Sequence, residues 1–445
     1  MPGIRTRRTW LRAVTRGGAA WAAVRALSGR AQGSPRQGSP NGKAGIGLIG
    51  CGERSAYAEM YNRHPGARIV AVCDPVQSRR DGHAARYGCP AFRDLRELLA
   101  RPEVDAVHIA TPDHWHVPAA LLAAKAGKDI YLEKPLGLCL EQALAARAIV
   151  DRHQRVFQYG AQQRSQSHVR LGIELVLNGH IGEVKDLVVW APHGEAGGSA
   201  TPVLPVPEGF DYDLWLGPAP ESPFCHDRCL AGGTRKGIYH IRDYAVGFLA
   251  GWGSHPMDML QWWADHAGRG TIPVRYEGSG RLPDQGLFNT LTHWNITCTY
   301  ADGLRLRFLD NESAARLNPL PEAMREKMPG HGTLFLGERG WVLVHRGGWK
   351  TSSEALRQQA KDPGPQRLPV SREQIYDFVD RVHDRGRPVD DLHSAVRSDL
   401  ACHLSEIAIR TGHPVTWDPV AETIGNDVEA RRLISRPLRP PWKLG

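Results

Sequence analysis

Apolar positions change their period along the chain, and the change divides it. From Gly45 the run IGLIGCGERSAYAEMYNRHPGARIVAVCDP reads as an apolar strand, a glycine-rich turn, a helical segment and a second apolar strand ending on an acid. Two more apolar runs, 104–110 and 129–132, close on the polar clusters Thr111-Pro112-Asp113-His114-Trp115-His116 and Glu133-Lys134-Pro135. Strands that alternate with helices predict a doubly wound parallel sheet, in which ligands sit beyond the carboxyl ends of the strands, so both clusters should face one crevice. After residue 160 the pattern differs. Helical segments at 169–178 and 254–263 are separated by β-rich runs (VKDLVVWAP, LTHWNITCTY, GLRLRFLD, TLFLGERGWVLVHRGGW), and turns such as Ala301-Asp302-Gly303 predict a large, mostly antiparallel open sheet. The segment 391–411 has helical spacing and stops at Gly412, a C-cap signal.

The glycine-rich turn carries the first candidate chemistry. Gly50 and Gly52 occupy the first two glycines of G-x-G-x-x-G, one for the tight turn and one so that the backbone can approach a pyrophosphate; Ser55 stands third. Asp74, at the end of VAVCD, is placed to accept hydrogen bonds from adenosine ribose hydroxyls, which favours NAD, while Arg79 and Arg80 leave NADP open. The predicted cofactor contacts are Gly50, Gly52, Glu53, Arg54, Asp74, Thr111, Pro112, His116, Glu133 and Lys134. The predicted fold class is α/β: an N-terminal Rossmann sheet (43–160), an α+β domain with the antiparallel sheet (161–390), and a C-terminal helix and Pro-rich tail (391–445).

Composition changes this picture in one place. The chain has 445 residues, 41% hydrophobic and 23% charged, which is ordinary for two globular domains. Lys and Arg exceed Asp and Glu by 56 to 47, but the basic excess is concentrated before residue 43, so the body does not call for nucleic acid. That leader (1–42, with its linker) contains Arg7-Arg8 ahead of a weakly hydrophobic stretch, the pattern of a twin-arginine export signal, and predicts a periplasmic or otherwise exported protein. No apolar run approaches the ~18 residues of a membrane span. The eight cysteines are scattered; Cys225 and Cys229 alone suggest a metal, and without a second pair no metal site is predicted.

Taken together, GCGERS, ATPDHWH, EKP and GWGSHPMD resemble the Gfo/Idh/MocA family of sugar and polyol oxidoreductases. GAQQRSQSHVRLGIELVLNGHIGEV, YDLWLGPAP and ARRLISRPLRPPW resemble the branch found among exported, carbohydrate-degrading bacterial proteins. The resemblance implies that Lys134 handles the proton near the nicotinamide, and burial beside a cationic ring would lower its pKa. It implies that Glu133 orients Lys134 or a ribose hydroxyl. It matches His255 to the histidine that bonds the reacting hydroxyl, with Asp258 three residues on along the same helix. The catalytic Asp expected before it is replaced by Gly251, so Tyr239, His240 or Asp243 becomes a candidate for the proton path. Arg164 and His168, near the domain junction, are candidates for binding sugar hydroxyls, as are Asp243 and Asp258. The resemblance also implies homodimers or homotetramers through the second sheet.

Three functions follow as expectations. The first is an NAD(P)-dependent oxidoreductase acting on a sugar, polyol or glycoside. The second is an NAD-dependent glycoside hydrolase or lyase, in which transient oxidation acidifies a neighbouring C–H, elimination breaks the glycosidic bond, and the hydride returns. The third is a non-catalytic sugar-binding protein.

Overall fold

A computed structural model describes residues 42–229, 237–269, 271–317 and 328–444. The twin-arginine pair therefore lies outside the described residues. Six parallel strands form the first sheet: β1 (Ala44–Ile49), β2 (Ala67–Cys73), β3 (Ala91–Phe92), β4 (Ala106–Ile109), β5 (Asp129–Glu133) and β6 (Phe157–Gly160), in the order β3-β2-β1-β4-β5-β6. Every residue of β1, β4 and β5 is buried, as continuous apolar runs in a doubly covered parallel sheet should be. The order reverses between β1 and β4, which opens the ligand crevice at their carboxyl ends.

The second sheet has eight strands: β7 (Val184–Ala191), β8 (Arg275–Arg281), β9 (His293–Thr299), β10 (Arg305–Asp310), β11 (Gly332–Gly337), β12 (Trp341–His345), β13 (Gly348–Thr351) and β14 (Val415–Thr416), ordered β13-β12-β11-β7-β10-β9-β8-β14. All neighbours are antiparallel except β7 and β10. The helix Ser254–His266 packs on this sheet, with the Trp263 ring edge-on to Phe335 at 5.4 Å; Trp262 and Trp263 are both buried core. The helix Leu392–Thr411 ends on Gly412 in the left-handed conformation, as the C-cap signal predicts.

Packing does not follow the boundary expected at 390. The helix Gln374–Asp384, inside the span assigned to the second domain, buries Ile375, Phe378, Val379 and Val382 in the cluster that contains Ile46, Leu48 and Val72 of the nucleotide-binding sheet. Those four positions share one face of a helix, and the Glu373 side chain caps its start by accepting from the Ile375 and Tyr376 N–H groups. The C-terminal tail also returns to the first domain: Trp442 lies edge-on to Trp115 at 4.6 Å, and Leu444 packs with Val117 and Leu121. Among the described residues no helix is long and apolar enough to cross a membrane, and Cys225 and Cys229 are buried free thiols.

Candidate active site

A cavity of about 430 Å³ lies at the β1–β4 switch point. Gly50, at φ +94°, forms its floor; a Cβ there would stand 2.6 Å from the Ala110 carbonyl oxygen, so only glycine makes this turn. A Cβ on Gly52 would project into open space, leaving a bare backbone edge on the cavity. Asp74 closes the far end. Its Oδ2 accepts from the Cys51 N–H and its Oδ1 from the Val76 N–H, each at 2.8 Å, and burial pushes its pKa up. The carboxylate thus braces the glycine-rich turn while each oxygen keeps a second lone pair for a ribose hydroxyl. Arg79 lines the cavity, whereas Arg80 turns its guanidinium back onto the Asp74 and Pro75 carbonyls at 3.3 and 3.4 Å.

Thr111 and Pro112 line the same cavity, and Thr111 Oγ1 is buried without a hydrogen-bond partner. Glu133, expected to contact the cofactor, does not line this cavity; its carboxylate is buried without a hydrogen bond, with Oε1 4.0 Å from His108 Nε2. An orphaned hydroxyl in the cavity wall, as at Thr111, calls for a polar ligand, and with the bare Gly52 edge and the Asp74 brace it fits a dinucleotide such as NAD. His116 is different from its expected role. Its Nδ1 lies 2.6 Å from the Pro135 carbonyl and its Nε2 3.0 Å from the Thr111 carbonyl, so the ring ties the two loops together and does not line the cavity. Its pKa is pushed down to about 4 by burial.

A second cavity of about 320 Å³ continues from the first, and Glu53, Arg54, Asp113 and Tyr239 line both. Lys134, delivered by the end of β5, faces it among Tyr57, Phe248 and Trp252. Its Nζ donates to the Gly251 carbonyl at 2.8 Å. Burial, with the Arg54 charge beside it, holds Lys134 below the ordinary lysine range against the opposing pull of Asp113 and Glu133. Asp113, at the start of the helix Asp113–Lys125, is pushed up by burial and drawn down by Lys134 and a Val246 N–H bond. Neither Asp113 nor its neighbour Tyr57 carries a spacing signal; the only cue for Asp113 was its place in the cluster that follows β4.

His255 sits beside this cavity rather than in its wall. Arg346 Nη2 donates to its Nε2 at 2.8 Å, which leaves the ring proton on Nδ1, and Nδ1 donates to the Ala161 carbonyl at 2.9 Å. Burial, Lys134 and Arg346 push its pKa well down, so the ring is neutral. Trp252 joins it to the cavity, with His255 5.6 Å from the indole and the Arg346 guanidinium 5.3 Å above it. Arg346, in the turn between β12 and β13, is, like Asp113 and Tyr57, a site residue that sequence patterns missed.

The other expected sugar ligands lie elsewhere. Arg164 Nε and Nη2 reach the two Asp258 carboxylate oxygens at 2.9 and 2.5 Å, and Nη2 also donates to Ser394 Oγ at 2.6 Å. This is a buried fork pairing, and the guanidinium also faces Asp390 at 3.5 Å and the Val389 carbonyl at 3.4 Å, so its donors are spent inside the protein. His168 Nε2 is 2.9 Å from the His345 carbonyl, and Asp243 lines a separate groove with Arg242 and Arg436. His240 is buried under Phe288; of the three proton-path candidates only Tyr239 reaches the cavity.

Comparison with known proteins agrees with this geometry. Residues 44–161 match the NAD-binding Rossmann fold of the Gfo/Idh/MocA oxidoreductases, and residues 188–326 and 358–444 match the family's C-terminal α/β domain. An inositol 2-dehydrogenase of Rhizobium meliloti is 31% identical over 145 residues, 32% of this chain and 44% of that protein. A glycosyl hydrolase family 109 protein of Shewanella amazonensis is 41% identical over 108 residues, 22% of this chain and 24% of its own length. Both matches therefore span less than half of the relative. In fold, the WlbA dehydrogenase of Chromobacterium violaceum, crystallised with NADH and UDP-GlcNAcA, superposes with a TM-score of 0.61 at 17% identity, covering 87% of this chain and 99% of the other. With both domains matched in order around one NAD-binding crevice, the chain belongs to the Gfo/Idh/MocA oxidoreductase family.

Proposed function

We propose that the protein is an NAD(P)-dependent oxidoreductase that moves hydride between nicotinamide and a carbon of a sugar, polyol or glycoside. The observation that carries this reading is Lys134: a buried amine of lowered pKa, at the carboxyl end of β5, in a cavity continuous with the dinucleotide crevice. Bound NAD supplies the hydride acceptor. Lys134 takes the hydroxyl proton as the O–H bond breaks and the carbonyl forms. Tyr57, Tyr239, Phe248 and Trp252 offer faces for a sugar ring, and Arg54 and Asp113 offer polar contacts.

A second reading, the redox-neutral glycoside hydrolase or lyase, is favoured by the way the dinucleotide cavity is covered. Residues 209–217 cross it: the Gln77 N–H donates to the Gly209 carbonyl at 2.8 Å, the Asp211 N–H donates to the Pro75 carbonyl at 3.1 Å, and Leu214 and Trp215 form the wall. From outside, Arg439 Nε donates to the Gly217 carbonyl at 2.9 Å and Nη1 to Asp213 Oδ1 at 2.6 Å. A cofactor held under such a strap suits a closed redox cycle, as does the similarity to a family 109 glycosyl hydrolase. Aryl glycosides separate the two. Stoichiometric NADH supports the dehydrogenase; aglycone release without NADH supports the hydrolase; neither, over a broad panel of sugars and glycosides, overturns both.

We also propose export through the twin-arginine route, on the strength of Arg7-Arg8 and the linker after them, and a homodimer or homotetramer formed through the second sheet. Its outer face, where His293, Asn295, Thr297 and Thr299 of β9 alternate with buried residues, offers the surface for it.

A further inference from the structure

We propose that Asp113 is the second proton-handling group of this site, taking the place of the acid that Gly251 lacks; the proposal rests on the oxidoreductase reading. Three observations on separate elements lead to it. At Gly251 a Cβ would meet no atom within 4 Å, and the residue offers the cavity only its carbonyl, which accepts from Lys134 Nζ at 2.8 Å. His255, the other acid/base expected of this constellation, has both ring nitrogens committed, to Ala161 and Arg346, behind Trp252. The carboxylates that do line the cavity are those of Glu53 and Asp113. Glu53 is exposed on the glycine-rich turn; Asp113 is 6% exposed, lines both cavities, and is steadied by the Val246 N–H.

Lys134 and Asp113 feel each other's charge across the cavity without forming a direct ion pair, which leaves room between them for the reacting group. The step balances without another reactant. The substrate O–H breaks and its proton goes to Lys134 Nζ, while the C–H electron pair leaves as hydride to the nicotinamide. The Lys134 ammonium then passes its proton, through a water in the cavity between the two groups, to an Asp113 carboxylate oxygen, which restores the amine. In the reverse direction Asp113 returns the proton through Lys134 to the carbonyl oxygen. Tuning a carboxyl upward and an amine downward brings the two close enough in proton affinity for the transfer to run either way.

The test uses the NAD-loaded enzyme and the variants Asp113→Asn, Asp113→Glu and the double variant Asp113→Asn with Gly251→Asp. The first readout needs no substrate: the pH dependence of Lys134 labelling by 1-fluoro-2,4-dinitrobenzene, read by peptide mass. With its counter-charge removed, Lys134 should titrate at lower pH in Asp113→Asn and near its original pH in Asp113→Glu; an unchanged titration in Asp113→Asn overturns the proposal. The second readout is turnover with whichever sugar reduces the bound nicotinamide. Asp113→Asn should lose about a hundredfold in kcat and the acidic limb of its pH profile should move, with NAD retained. Gly251→Asp, filling the empty position, should recover part of that loss. Parental turnover and pH profile in Asp113→Asn would overturn the proposal. If no sugar reduces the bound cofactor, the oxidoreductase reading fails instead, and the labelling titration still decides whether Asp113 governs Lys134.

Discussion

Lys134 Nζ donates to the backbone carbonyl of Gly251 at 2.8 Å. This bond joins the end of β5 in the nucleotide-binding sheet to the short helix Gly247–Gly251 of the second domain, so the amine is positioned by both domains at once. A carbonyl neither neutralises the ammonium nor competes with the amine for a proton. Desolvation and the Arg54 charge therefore outweigh the pull of Asp113 and Glu133, and hold Lys134 below the ordinary lysine range.

Lys134→Arg is accordingly the sharpest substitution at the site. A guanidinium can donate to the Gly251 carbonyl but cannot give up a proton near neutral pH. Turnover should fall by about 10²–10⁴-fold with NAD still bound, as measured by dinucleotide content after gel filtration. Retained turnover in this variant would remove Lys134 from the chemistry.

The lowered pKa of Lys134 sets the sign of the pH profile. Substrate oxidation needs the neutral amine, so kcat/KM for oxidation should rise with pH along a limb lying below the ordinary lysine range. Reduction of the corresponding ketone needs the ammonium and should fall across the same limb. A profile with no limb below the ordinary lysine range, in either direction, would contradict the assignment.

Arg164 and Asp258 are expected to matter for stability rather than for substrate. Removing the guanidinium by Arg164→Ala leaves the Asp258 carboxylate buried without its partner, a loss of about 3–5 kcal/mol. Denaturant unfolding should show this loss while KM for the sugar stays close to the parental value. A raised KM at unchanged stability would return Arg164 to the sugar site.

These two residues also show where sequence reasoning stops. The strand-turn-helix pattern, Gly50, Gly52, Asp74 and the cluster around Lys134 were legible because each depends on near neighbours: a continuous apolar run, a turn that only glycine makes, an acid at a strand end. The domain-junction position of Arg164 and the helix position of Asp258 point locally to a sugar site, but their fork pairing joins positions 94 residues apart and leaves no local trace. Arg346, 91 residues from His255, was invisible for the same reason. His116 lay in the right loop, yet its place in the first turn of the Asp113–Lys125 helix turns it toward Pro135 and away from the crevice. The helix Gln374–Asp384 had a legible apolar face, but nothing in that face says which sheet it covers.

The strap over the dinucleotide cavity makes a prediction about cofactor release. Arg439→Ala removes the bond to the Gly217 carbonyl and the solvent-exposed pair with Asp213, the latter worth only about 0–1 kcal/mol, and should speed NAD dissociation by about threefold to tenfold. Nicotinamide fluorescence during displacement by excess unlabelled dinucleotide measures the rate. An unchanged rate would mean that the tail does not hold the strap.

The most direct test of the account is the dinucleotide content of the purified protein. Denaturation should release NAD, close to one per chain, and the emptied protein should take it up again on refolding or on addition. Protein that releases no nicotinamide dinucleotide and binds none when NAD or NADP is added would contradict the cofactor site and every function built on it.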